Sequence, residues 1–153
     1  MASDLNSFLR WCHPDLLVER LRHASACWLV LQALDLDLNR HPAPDEGSIS
    51  VIDTPSGPLG ISSMLLPSSA DPPLRVTPFP LEPSRAPLWV LALLQQQDRQ
   101  GTDPLDPQQW LFWVVPAAQF HAERRSIALQ PLVRAHGEGL DWAGLQAALI
   151  QPR

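Results

Sequence analysis

The sequence predicts an α/β fold, a mixed central sheet flanked by helices, and three features predict it. Two continuous apolar runs, 88–94 (LWVLALL) and 110–115 (WLFWVV), have the length and density of strands buried on both faces. A β-rich run over 48–53 is followed by turn chemistry at Thr54-Pro55-Ser56-Gly57 and a returning run over 59–66, which together predict a hairpin. Helical patterns stand before and after these strands. A chain of 153 residues supports one domain without a disulfide or metal staple, so 1–153 is expected to fold as a unit. Its N-terminal helices are expected over 3–38, and the sheet with the C-terminal helix over 48–150.

In chain order, Ser3 is an N-cap candidate for a short helix through Leu5, Phe8, Leu9 and Cys12. His13-Pro14-Asp15 restarts the chain: proline suits the first helical position, and Asp15 and Glu19 favour the positive end of the helix dipole. Leu17, Leu21, Ala24, Trp28 and Leu31 then predict one apolar stripe on a helix running to about Leu36. The stretch 34–38 alternates apolar and acidic, which fits either a frayed helix end or a strand start. After the hairpin, 67–87 carries seven prolines in twenty-one residues. It predicts a stiff connection across one domain surface, with 74–77 as a short edge strand at most. Asp103-Pro104 and Asp106-Pro107 mark turns, 126–129 is a weak short element, and Asp141 caps a last helix. In that helix Trp142, Leu145, Leu149 and Ile150 are expected to share a face.

Composition excludes several chemistries. All eleven basic residues are arginine, so Schiff-base chemistry, a P-loop and a lysine general base are ruled out. The net charge of -5 lowers the prior for nucleic-acid binding, which draws most of its affinity from phosphate neutralisation. Cys12 and Cys27 sit in apolar helical patterns and are expected to be reduced core thiols of a cytoplasmic protein. No signal-peptide pattern or membrane span is expected.

Few residue groups suggest a site. His23 and Cys27 lie four apart on a helix, a spacing that suits two metal ligands, but no third or fourth ligand follows and a structural role is the better reading. Cys12 and His13 are adjacent, so their side chains diverge. His121 and Glu123 lie in a polar stretch beside Arg124 and Arg125, as a solvated surface does. Gly60 with Ser62-Ser63 lacks the second glycine and the following helix of a nucleophile elbow. Trp28, Trp89, Trp110 and Trp113 fall in apolar runs and are mostly assigned to the core. Odd spacing on a strand sends Trp110 and Trp113 to opposite faces. Trp11 and Trp142 are expected to be partly exposed.

The second half carries a resemblance. The order RAPLWVLALL, DPLDPQQWLFWVVP, SIALQPLV and a closing apolar helix resembles small bacterial restriction-endonuclease-like proteins of the PD-(D/E)XK type. Asp103, Pro104, Leu105, Gln109, Trp110, Pro116, Ser126, Ile127 and Leu129 carry the match, which extends over roughly 48–150. The resemblance implies a restriction-endonuclease-like core with its chemistry in the hairpin. There a Pro-x-Gly turn precedes a Glu-x-Lys strand that holds a divalent metal and activates water. Here the turn is Pro55-Ser56-Gly57, Gly60 stands at the glutamate position and Ser62 at the lysine position, with Asp53 nearby. A glycine and a serine cannot replace a carboxylate and an ammonium.

The resulting expectation is a catalytically inactive module without a cofactor or metal site. It would act in binding or assembly through protein–protein contacts, with a protein partner or a homodimer preferred over nucleic acid and no membrane. Met64, Arg75 and Arg85 are the expected interaction residues. The competing reading is a metal-dependent nuclease with relocated carboxylates, for example Asp35, Asp37 and Asp53.

Overall fold

The computed structural model describes residues 7–8, 11, 14–44, 47–66, 78–95 and 103–150, with side-chain detail in the first long helix from residue 21 onward. The predicted short helix from Ser3 to Cys12 lies largely outside these ranges, as do the side chain of Leu17, the predicted edge strand 74–77, Cys12 and Arg75. Helix α1 spans Pro14–Ala33 and is followed by the hairpin strands β1 (Ile49–Thr54) and β2 (Gly57–Leu66). A two-residue strand β3 (Phe79–Pro80) precedes β4 (Leu88–Gln95) and β5 (Trp110–Pro116). The chain closes with β6 (Ser126–Ile127), α2 (Leu129–His136) and α3 (Trp142–Ile150).

The main sheet has the order β1-β2-β4-β5, and β3 pairs with β6 in a separate two-stranded ribbon. β1 and β2 are antiparallel with Val51 opposite Gly60, β2 and β4 are parallel with Gly60 beside Trp89, and β4 and β5 are antiparallel. The sheet is therefore mixed and flanked by helices, as the two apolar runs and the hairpin predicted. Period-two alternation divides its side chains between two cores. On one face Leu59, Ile61, Val90, Ala92, Trp110 and Phe112 pack against α1 and against Leu145 of α3. On the other, Met64, Trp89, Leu91, Leu93, Trp113 and Val115 pack against Phe79, Leu81 and Leu132 of α2. Trp110 and Trp113 go to opposite faces, as their odd spacing requires.

Several expectations need correction. The stripe through Leu21, Ala24, Trp28 and Leu31 is only partly the buried face of α1: Leu31 is buried with Ala26, Cys27, Leu29, Val30 and Ala33, but Leu21 and Ala24 are half-buried and Trp28 is 36% exposed. The buried face combines the small Ala26, Cys27 and Ala33 with Leu29 and Val30, which pack on the sheet. The stretch 34–38 is neither frayed helix nor strand. Leu36 N–H donates to the Leu31 carbonyl and Asp35 N–H to the Gln32 carbonyl, both at 3.0 Å, with Asp35 left-handed at φ 54°. This is a Schellman stop with aspartate where glycine is usual. In α3 Leu145 is buried and Trp142 and Leu149 pack against the core, but Ile150 is 70% exposed and leaves the shared face. Asp141 does cap that helix, its Oδ1 accepting from Gly144 N–H at 2.8 Å. The weak element at 126–129 divides into β6 and the start of α2, a helix the sequence reading missed. Leu129, Leu132 and Val133 at helical spacing and Gly137 just past the end, at φ 79°, were its signals. Among the described residues no helix is long and apolar enough to cross a membrane.

Candidate functional site

The hairpin positions named by the resemblance do not converge. Asp53 is exposed near the end of β1, opposite Pro58. Gly60 is buried with Trp89 laid across it: a Cβ built at Gly60 meets the indole Cε2 and Cε3 at 2.6 Å. Trp89 itself is 0% exposed, and its indole N–H has no hydrogen-bond partner among the described residues. Ser62 is fully buried on the same face and donates to the Pro80 carbonyl at 2.7 Å. The face on which a Glu-x-Lys pair would stand is therefore filled by an aromatic ring and by the chain around β3.

The relocated carboxylates are likewise separate. Asp35 is exposed at the end of α1. Asp37 caps a short 3-10 turn, accepting from Asn39 N–H, and faces the Arg40 guanidinium at 3.7 Å. Among the described residues no group of three or more histidine, cysteine, aspartate or glutamate side chains is placed to hold a metal ion. Met64 is 2% exposed, which removes it from any surface. The apolar character of β2 reflects its place as an inner strand with both faces covered. Arg85 is exposed and pairs with Glu82 at 2.9 Å. His121 and Glu123 are exposed, as expected.

The side chains that do converge lie on the opposite face, between α1 and the hairpin. His23 Nδ1 is 2.8 Å from Ser63 Oγ, and its Nε2 is 2.8 Å from Ser50 Oγ and 3.7 Å from Cys27 Sγ. His23, Cys27 and Ser63 are buried. The four residues come from three elements, so their union is invisible to any spacing along the chain beyond the His23/Cys27 pair. Burial, reinforced by the neighbouring Arg22 guanidinium, lowers the His23 pKa to about 4. Burial also raises the Cys27 thiol to about 11 against the opposing effect of a Ser50 hydrogen bond. The imidazole is neutral and the sulfur a thiol at neutral pH. A serine–histidine pair with no carboxylate to stabilise an imidazolium is a poor general base. The network instead satisfies buried polar groups and fastens α1 to both hairpin strands.

Beside this network runs a groove of about 1030 Å³ between α1, β1 and the segment 38–44. The stripe that the sequence suggested as core, Leu21, Ala24, Trp28 and Leu31, forms its helical wall. Five consecutive residues, 49–53, form the opposite wall, so the groove follows the edge of β1 rather than one face of it. Comparison with protein-family models, curated proteins and solved structures gives no match.

Proposed function

We propose that this protein is a catalytically inactive binding or assembly module built on a restriction-endonuclease-like core, acting through protein–protein contacts. The observation that carries the reading is the occupation of the Gly60 position by Trp89. A glutamate there has no room without displacing a buried indole, and Ser62 spends its hydroxyl on an internal carbonyl. Metal chemistry needs convergent oxygen ligands with water access, and this face is packed core. The parallel pairing of β2 with β4 after an antiparallel hairpin supports the endonuclease-like part of the reading. The preference for protein over nucleic acid is supported by the net charge of -5 and by Trp28, left 36% exposed in the groove.

The test is a calorimetric titration with Mg²⁺ and Mn²⁺ beside a plasmid-cleavage assay and a duplex-DNA shift assay. No saturable metal binding, no cleavage and no shift near physiological salt are expected. Metal-dependent cleavage lost in Asp53→Ala would overturn the reading.

A further inference from the structure

We infer that the edge of β1 and the groove beside it accept an extended segment of a partner protein as an added strand. Alternate apolar side chains of that segment seat against Ala24 and Trp28, and an acidic residue meets Arg40 or Arg85. The inference rests on the reading above only in taking the contact to be with protein.

Hydrogen-bond parity identifies the open groups. Ser63 N–H donates to the Ser48 carbonyl at 3.1 Å, and bonded residues alternate along an antiparallel pair. Ser50 and Ile52 therefore turn their backbone groups toward β2, while Ile49, Val51 and Asp53 turn theirs away from it. Among the described residues, β1 is an end strand of its sheet and these three have no backbone partner beyond it. The opposite edge is different. There Phe112 of β5 exchanges both backbone hydrogen bonds with Leu140, at 2.9 and 2.6 Å, so that strand is partly capped.

A row of outward donors and acceptors at two-residue spacing matches an extended chain. The groove supplies what a bare edge lacks, an apolar wall against which side chains of such a chain can pack. Trp28 is a large anchor left 36% exposed there. Among the described residues its charged lining is Arg40, Arg85 and Asp53, two cations against one carboxylate in a chain of net charge -5. Among the described residues the two arginines meet only exposed carboxylates three residues away, pairs that solvent keeps weak. This local surplus favours an acidic segment over a second copy of the same strand, whose one carboxylate is Asp53. The His23 network holds α1 and β1 at a set distance, so the slot is organised before the segment arrives.

The test is fluorescence anisotropy of the full chain with a fluorescein-labelled peptide Glu-Val-Thr-Val-Thr-Val-Glu. Two control peptides carry proline at the central valine or lysine at both ends. Saturable binding is expected, weakened at least about tenfold by either control, a loss of about 1.4 kcal/mol. Val51→Pro, which deletes one outward N–H at an edge position that tolerates proline, is expected to weaken it similarly. Ala24→Arg, which fills the groove from α1, does the same without touching the sheet and serves where Val51→Pro does not fold. No binding, or binding indifferent to Ala24→Arg, overturns the inference. So does light scattering that shows a dimer dissolved by Ala24→Arg, since the occupant is then a second copy. Cleavage of DNA with peptide binding intact would remove the catalytically inactive reading alone, and silence in both assays would remove the groove alone.

Discussion

Gly60 and Trp89 stand side by side across the parallel pair of β2 and β4, and the indole occupies the volume that any side chain at position 60 would need. Gly60→Ala is therefore expected to destabilise the fold by about 1–3 kcal/mol through overpacking. In a Trp89→Leu background the added penalty should shrink, since the two residues share one space. Urea denaturation of the four-member cycle measures both effects, and additive penalties would show that the contact is not the cause. On the other face, His23 links pH to stability. Its folded pKa, about 4, lies below the ordinary 6.5, so between these values the unfolded chain takes up a proton that the folded chain refuses. Stability from this source is full above about pH 6.5 and is lost as pH falls toward about 4, by roughly 3 kcal/mol in all. Urea midpoints at about pH 7 and about pH 4.5 should separate in the native chain and draw together in His23→Gln.

Helix α1 shows how an element can be legible in kind and misread in orientation. Its existence followed from the Pro14 start and the apolar periodicity, but the helix carries apolar residues on more than one face. Leu21, Ala24, Trp28 and Leu31 form as regular a stripe as Ala26, Cys27, Leu29, Val30 and Ala33; the sheet core takes the second, and of the first only Leu31 is buried. Leu29→Ala should consequently cost about 2–5 kcal/mol, as removal of a buried leucine does. Trp28→Ala should cost markedly less, because the ring lines a groove. Thermal melts of the two variants decide the orientation, and the reverse ranking would return Trp28 to the core. The end of the same helix gives a second expectation. Asp35 holds φ 54° in a Schellman stop, a conformation unfavourable for a residue with a side chain. Asp35→Gly should raise stability by about 0.5–1 kcal/mol, measured from the same melts. Helix α2 went unread, although Leu129, Leu132, Val133 and Gly137 signal it. Pro131 obscured it, yet a proline in the first turn breaks no internal helix hydrogen bond.

Over the whole molecule, the sheet encloses two cores, and the candidate sites divide between its faces and its edge. The hairpin positions Gly60 and Ser62 belong to the core shared with Trp89 and α2, whereas the His23 network belongs to the core under α1. Filling the first face with packed side chains leads to the expectation that millimolar Mg²⁺ or Mn²⁺ leaves the melting temperature unchanged. A ligand that binds only the folded state would raise it. The sequence by itself determined the four strands of the main sheet, because apolar runs and turn residues are local signals governed by backbone sterics and side-chain period. It also determined the absence of a Glu-x-Lys pair and of every lysine. Tertiary structure alone decided which stripe of α1 meets the sheet, and that Met64 lies in the core rather than at a surface. It alone brought His23, Ser50, Ser63 and Cys27 together and, among the described residues, left β1 as an end strand beside a groove. These are relations between elements distant in the chain. They are set by which packing of several apolar faces fills space best and pairs the polar groups it buries. That choice is made only when the faces meet.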